Sequence, residues 1–264
     1  MIDLKSISDT YFINGYEVPY TLKKGGTISI RPILLKDYNR YMQVKNLLEI
    51  KKNELGDINI IKMPYLEFLY TFVSQKEEIK TDLSTLFSLC IGVESIAFGK
   101  DKERICLLLL NNDDTIKSVI TQQEFNDISK IILNQNEPYY DNRYVNPEVR
   151  EMMEEYYKIK YKDIASPSLE QKKAFVCSKI GKTFLELNNM TCREFELIYK
   201  ASVDSEIYIG EKIIQGSYKY QVNKDILHPL FEPQKDPYAE IFESTSVLSN
   251  KGINGAEQLN SINL

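Results

Sequence analysis

Tryptophan is absent from the chain and histidine occurs once, at His228. A histidine-built metal site is therefore excluded, and no GxSxG nucleophile elbow accompanies the single imidazole. Four cysteines, Cys90, Cys106, Cys177 and Cys192, include no CxxC pair and lack zinc spacing. They lie in apolar or amphipathic runs such as "LFSLCIGV" and "ERICLLLLNN". Small buried thiols of a reducing compartment are the expectation; disulfides or metal ligands are the alternative. Apolar runs stop at "ICLLLL", far short of a membrane span. "MIDLKSISDTYF" has no basic stretch leading into an apolar core, so no secretory signal is expected. Basic excess is lacking too. The net charge is −5 over 264 residues, which counts against general binding to nucleic acid or anionic membrane while leaving room for a local basic patch.

The composition that remains is that of a globular protein, with 43% hydrophobic and 27% charged residues. "TYFINGYEVPYTL" carries Asn14-Gly15 between aromatic-rich arms, a hairpin signal. Gly25-Gly26 precedes "TISIRPI", where Ile28, Ile30 and Ile33 alternate with polar residues as a half-buried strand requires. Pro32 ends that strand or puts it at an edge. This glycine pair precedes a strand and lacks a following Lys-Ser/Thr, so it reads as a turn and not as a phosphate cradle. Asp37 is a candidate N-cap for a helix over "YNRYMQVKNLLEIKKNEL", with Tyr38, Tyr41, Met42, Leu48 and Leu55 near one face and Gly56 as its stop. "MPYLEFLYTFV", with Pro64 near its first turn, is a second helix. "TDLSTLFSLCIGV" is a third, capped by Thr81 or Asp82.

Three short strands follow in "ESIAFGKDKERICLLLLNNDDTIKSVI", with turns at "GKDK" and "NNDD". "NNDDT" lacks the spaced ligands, central glycine and closing glutamate of a calcium loop. Thr121 and Glu124 form a capping box for a helix whose core face is Phe125, Ile128, Ile131 and Ile132, stopped by Pro138. Asn146 and Pro147 open another helix, and the chain is mostly helical from there. After Gly216 the periodicity fades into a proline-punctuated segment and a polar tail. The predicted class is α+β: an N-terminal β-hairpin or strand with helices and a small antiparallel meander, then a mostly helical C-terminal half. The expected divisions are an α+β domain over 1–120, a mainly helical domain over 121–232, and an extended tail over 233–264.

Adjacent acidic pairs such as Glu77-Glu78, Asp113-Asp114 and Glu154-Glu155 point to different sides and make no carboxylate dyad. Residues 175–201 have the order of a helix-turn-helix, but Arg193 and Lys200 are offset by Glu194 and Glu196 on the would-be reading helix. A helical packing unit is the preferred reading and a DNA-binding regulator the alternative. A third version places an unconventional enzyme site near His228, Tyr218 and Asp225. The 18 tyrosines suit either interfaces or core. The candidate interface residues are Tyr139, Tyr140, Tyr144, Tyr156, Tyr157, Phe231, Tyr238 and Phe242.

The order of segments resembles a known group. "GGTISIRPILLKDYNRYM", a strand of I-x-I-x-P type leading into a tyrosine-bearing helix, looks like the opening of small phage tail and baseplate assembly proteins. "ITQQEFNDISKIILNQNEP", then "NPEVREMMEEYYK", then "SLEQKKAFVCSKIGKTFLELNNMTCREFELIYKA" is similar to tail-region proteins of phages and prophages of low-GC Gram-positive bacteria. NPE and M-T-x-x-x-F occur in that order here. A broader similarity is to the T4-type baseplate hub or tail assembly chaperone group. The likeness spans about residues 25 to 235 and includes no catalytic motif. It implies a structural or assembly role with other tail or baseplate proteins, or with copies of itself. It implies neither enzyme activity nor a cofactor or metal, and it places the protein in the host cytoplasm during assembly or in the virion tail.

Overall fold

The computed structural model describes residues 3–73, 77–102, 104–111, 113–141, 146–160 and 166–217. The elements in order are α1 (Leu4–Ile7), β1 (Val18–Thr21), β2 (Thr27–Ile30), α2 (Tyr38–Val44), α3 (Ile58–Lys62), α4 (Tyr65–Phe68), α5 (Glu77–Ile91), β3 (Ser95–Asp101), β4 (Arg104–Leu110), β5 (Ile116–Ile120), α6 (Gln122–Asn136), α7 (Pro147–Lys160), α8 (Leu169–Ile180), α9 (Phe184–Asn188) and α10 (Cys192–Gln215). The fold is mixed α+β, with its strands in the N-terminal half.

Among the described residues two antiparallel sheets form, one of β1 and β2 and one in the order β3-β4-β5. In the hairpin Val18 lies opposite Ile30 and Tyr20 opposite Ile28, so Val18, Ile28 and Ile30 share the buried face. Its turn is not at Asn14-Gly15. The reversal uses Gly25 and Gly26, both at positive φ, closed by Leu22 N–H to Gly26 O at 3.0 Å. Residues 8–12 instead prolong α1 as a π-helical turn, and Gly15 and Tyr16 close it by donating to Phe12 O and Tyr11 O. The aromatic arm is helical because Leu4, Ile7 and Tyr11 recur at helical spacing and pack on the core.

The helix expected through residue 55 is interrupted. After α2 come a 3-10 turn at Lys45–Leu48 and another at Lys52–Leu55. The Tyr65 hydroxyl donates to Leu47 O at 2.9 Å and accepts from Ile50 N–H at 2.8 Å. A distant side chain thus occupies backbone groups that the helical ladder would use. Tyr41 and Leu48 are buried as predicted, but Met42 and Leu55 are exposed. Asp37 accepts no backbone hydrogen bond at the start of α2; its carboxylate lies 3.9 Å from Arg40. Pro64 sits one residue before α4. Helix α5 starts at Glu77, so Thr81 and Asp82 lie within it and do not cap it.

The meander is as predicted except at its first turn. Gly99 and Lys100 belong to β3, paired with Cys106 and Ile105, and the reversal falls beyond Asp101, with Lys102 at positive φ. The central strand β4 buries Cys106, Leu107 and Leu109, which explains the apolar run in the sequence: α4 and α6 pack against it. Thr121 and Glu124 cap α6, with Thr121 N–H donating to Glu124 Oε2 at 2.8 Å. Phe125, Ile128, Ile131 and Ile132 are all buried.

Contacts divide the chain into two units, 1–202 and 203–264, with the division inside α10. The boundary expected after residue 120 falls within the first unit. There Phe125, Ile128, Ile131 and Ile132 of α6 join Val18, Ile30, Leu86, Phe87 and Leu107 in one core cluster. A second cluster gathers Leu35, Val176, Leu187, Met190 and Phe195 from α8, α9 and α10 against the start of α2.

The stretch Arg31–Leu35, which ends at the start of a 3-10 turn, joins these parts. Arg31 N–H donates to Cys90 O at 2.7 Å, Ile33 O accepts from Cys192 N–H at 2.8 Å, and Leu35 N–H donates to Met190 O at 2.8 Å. Ile33 N–H donates to the Asn136 side chain at 2.7 Å. Five residues thereby stitch the ends of α5 and α6 to the start of α10. The glycine turn, strand and helix of the N-terminal third are the scaffold of this junction.

Candidate interaction surface

Helix α6 is a polar clamp as well as a core helix. Glu124, Asp127, Ser129, Gln135 and Asn136 are all buried. Glu124 accepts from Lys23 N–H, Asp127 accepts from the Tyr20 hydroxyl at 3.3 Å, and Gln135 donates to Tyr16 O at 3.1 Å. Burial acts to raise the Glu124 carboxyl, but hydrogen bonds from Lys23 and Thr121 outweigh it and leave the group below its ordinary value. Tyr20 is pushed up to about 12, first by burial and then by the Asp127 and Glu124 charges. These groups have protein partners and serve the fold.

The same holds at the C-terminal end of α6. Lys45 Nζ lies 2.9 Å from both Glu137 oxygens and 3.6 Å from Glu49, and the Tyr41 hydroxyl donates to Glu137 at 3.2 Å. Burial raises the Glu49 carboxyl, against the opposing pull of Lys45.

The four cysteines are free thiols, three of them buried. Burial raises Cys90, and raises Cys192 to about 12, so both stay protonated at neutral pH and are poor nucleophiles. Among the described residues no three His, Cys, Asp or Glu side chains converge where they could hold a metal ion. Open clefts among the described residues include two. One of about 580 Å³ lies between Gly92–Glu94 and the β4–β5 turn. The other, about 350 Å³, is lined by Lys23, Asp101, Arg104, Cys106 and the start of α6; the exposed Lys24–Asp101 pair at 2.7 Å lies beside it.

The predicted interface residues separate into different environments. Tyr139 is 51% exposed, whereas Tyr140 packs against the main core and its phenol is raised by burial. On α7, Tyr156 is 47% exposed and Tyr157 half-buried, their rings 5.5 Å apart and edge-on. Tyr144, Phe231, Tyr238 and Phe242 lie outside the described residues, as do Tyr218, Asp225 and His228.

Tyr156 has exposed apolar neighbours on α7 that are not among the predicted interface residues. Helix α7 begins as predicted, with Glu148 N–H donating to the Asn146 side chain at 2.9 Å. None of its described side chains is buried, and Met152 and Ile159 are 57% and 76% exposed. Met152, Tyr156 and Ile159 stand at i, i+4 and i+7, one face of a helix. That spacing was available in the sequence; the absence of burial was not. Further exposed apolar side chains are Phe184 and Leu185 on α9, and Ile207, Ile209, Ile213 and Ile214 toward the end of α10.

The helix-turn-helix order is present in α8, α9 and α10, with Ser168 capping α8 and Thr191 capping α10. The α10 cations have partners: Arg193 donates to Asn134 O at 2.7 Å and lies over the Phe12 ring. On α8, Lys172 lies 3.4 Å from Glu196 and over the Tyr199 ring. Among the described residues no helix is long and apolar enough to cross a membrane. Comparison with protein-family models, with curated proteins and with solved structures finds no match to this chain.

Proposed function

We propose that this chain is a non-enzymatic structural or assembly component of a bacteriophage or phage-like tail. It acts at the baseplate, hub or tail-assembly stage through protein–protein contacts. The observation that carries the reading is the unburied α7 face of Met152, Tyr156 and Ile159. A helix with an exposed apolar stripe gains free energy by covering it against another surface. Toward the end of α10, Ile207 and Ile214, seven positions apart, are further exposed apolar side chains on one side of the helix. The resemblance in segment order to tail and baseplate proteins supplies the setting. Symmetric multiplicity in a tail would turn modest single contacts into a lasting assembly.

A mass-spectrometric inventory of purified tails and of their assembly intermediates tests this reading. The chain is expected in one or both, and absence from both ends the proposal. A DNA-binding regulator using residues 175–201 is the second reading, favoured by the order α8–α9–α10. A gel shift that weakens with salt would support it, and no shift at low salt removes it.

A further inference from the structure

We infer that the Met152–Tyr156–Ile159 face of α7 docks a basic amphipathic helix of a partner protein. This rests on the assembly reading and gives it a site and a partner chemistry. Helix α7 has 14 residues and is roughly 21 Å long at 1.5 Å per residue. Advancing 100° per residue places Met152, Tyr156 and Ile159 on one stripe, with half-buried Val149 and Met153 widening it. The two methionines are unbranched and polarisable, so they shape themselves to an incoming side chain.

The stripe has a charged border. Glu148, Glu151 and Glu155, at i, i+3 and i+7, run along one side of it and are exposed. Glu154 lies just beyond, and Lys158, at i+3 from Glu155 and i+4 from Glu154, stands at the outer edge of the row. Like charges at helical spacing oppose one another, and a row of cations on a partner would relieve that repulsion while its apolar face covers the stripe. The border therefore selects the occupant. A lipid surface or a nucleic acid brings phosphates to carboxylates and is disfavoured. A second α7 brings the same glutamates, and in an antiparallel pair Glu148 of one copy would face Glu155 of the other.

The full-length protein can be titrated into a fluorescein-labelled amphipathic peptide of leucine and lysine, about 18 residues long so that it covers α7. A leucine–glutamate peptide of the same pattern is the control. The lysine peptide is expected to bind, more weakly as salt rises, and the glutamate peptide is expected not to bind. Ile159→Glu and Met152→Glu should each weaken binding at least about tenfold. Both positions are exposed, so the circular dichroism spectrum should not change. Replacing Glu148, Glu151 and Glu155 together by glutamine should lower both the affinity and its salt dependence.

The inference is overturned if the lysine peptide does not bind, if both peptides bind alike, or if Ile159→Glu leaves binding unchanged. Sedimentation showing a dimer that Ile159→Glu abolishes would overturn it too, by assigning the face to a second copy. Its failure is separable from that of the assembly reading. A chain absent from tails could still bind the peptide, and a chain present in tails could fail to bind it.

Discussion

The side-chain oxygen of Asn136 accepts a hydrogen bond from the Ile33 backbone N–H at 2.7 Å, and both residues are buried. The contact joins the end of α6 to a stretch more than a hundred positions earlier, and the Asn136 amide also donates to Ile132 O at 2.8 Å. Leucine at position 136 would leave the Ile33 N–H buried without an acceptor. Asn136→Leu is expected to cost about 1–3 kcal/mol, read from the urea midpoint. The Ile33 amide should also lose protection in hydrogen exchange. Unchanged stability would mean that this bond does not anchor the junction.

Phe125 stacks between Tyr65 and Phe87, each ring 6.2 Å away, and it is fully buried. Phe125→Ala removes the shared ring and opens a cavity between α4, α5 and α6. The expected loss is about 3–5 kcal/mol. Phe125→Leu, which refills much of the volume, should cost clearly less. Similar denaturation midpoints for the two variants would contradict this packing.

Glu124 gives acid sensitivity a defined sign. Its carboxyl is lower in the folded chain than in the unfolded one. Its contribution is therefore present above the unfolded value, about 4.3, and is lost as pH falls through the folded value. Glu124→Gln should be less stable at neutral pH, because the Lys23 and Thr121 N–H groups lose a charged acceptor. Its melting temperature should also fall less steeply than that of the parent between about pH 6 and about pH 3. The exposed carboxyls Asp101, Asp113 and Glu186, lowered as well, titrate in both proteins. Parallel melting curves would remove Glu124 as a source of acid sensitivity.

Gly92 ends α5 at φ +72°, and a Cβ there would come within 2.7 Å of the Arg31 guanidinium. Gly56 has the same φ with nothing within 4 Å of such a Cβ. Alanine at either site incurs left-handed backbone strain of about 1–2 kcal/mol. Only Gly92→Ala should also displace Arg31, which lies 3.3 Å from Glu17. Gly92→Ala is therefore expected to destabilise more than Gly56→Ala in thermal unfolding. Equal losses would show that Arg31 moves aside freely.

Several elements were legible because their signals are local. The Thr121–Glu124 cap, the buried face of α6, the Asn146 start of α7 and the three-strand meander each depend on residues a few positions apart. Other features failed for a matching reason. The break after α2 comes from the Tyr65 hydroxyl, and the hairpin turn lies at Gly25-Gly26 because Asn14-Gly15 closes a helix that packs on the core. Of the proposed surface, Tyr156 was visible as a residue type. Met152 and Ile159 join it only once every described side chain of α7 is seen to be unburied.

By itself the sequence determined the class of elements, the caps at Thr121 and Asn146 and the apolar faces that must be covered, since helix and strand periodicity follow from backbone geometry within a few residues. Tertiary structure alone decided that Arg31–Leu35 is the junction, that the buried polar groups of α6 clamp distant backbone, and that Met152 and Ile159 of α7 are exposed. Each of these depends on which surfaces meet across long stretches of chain, and the free energy of burial is set by that meeting and not by any local pattern.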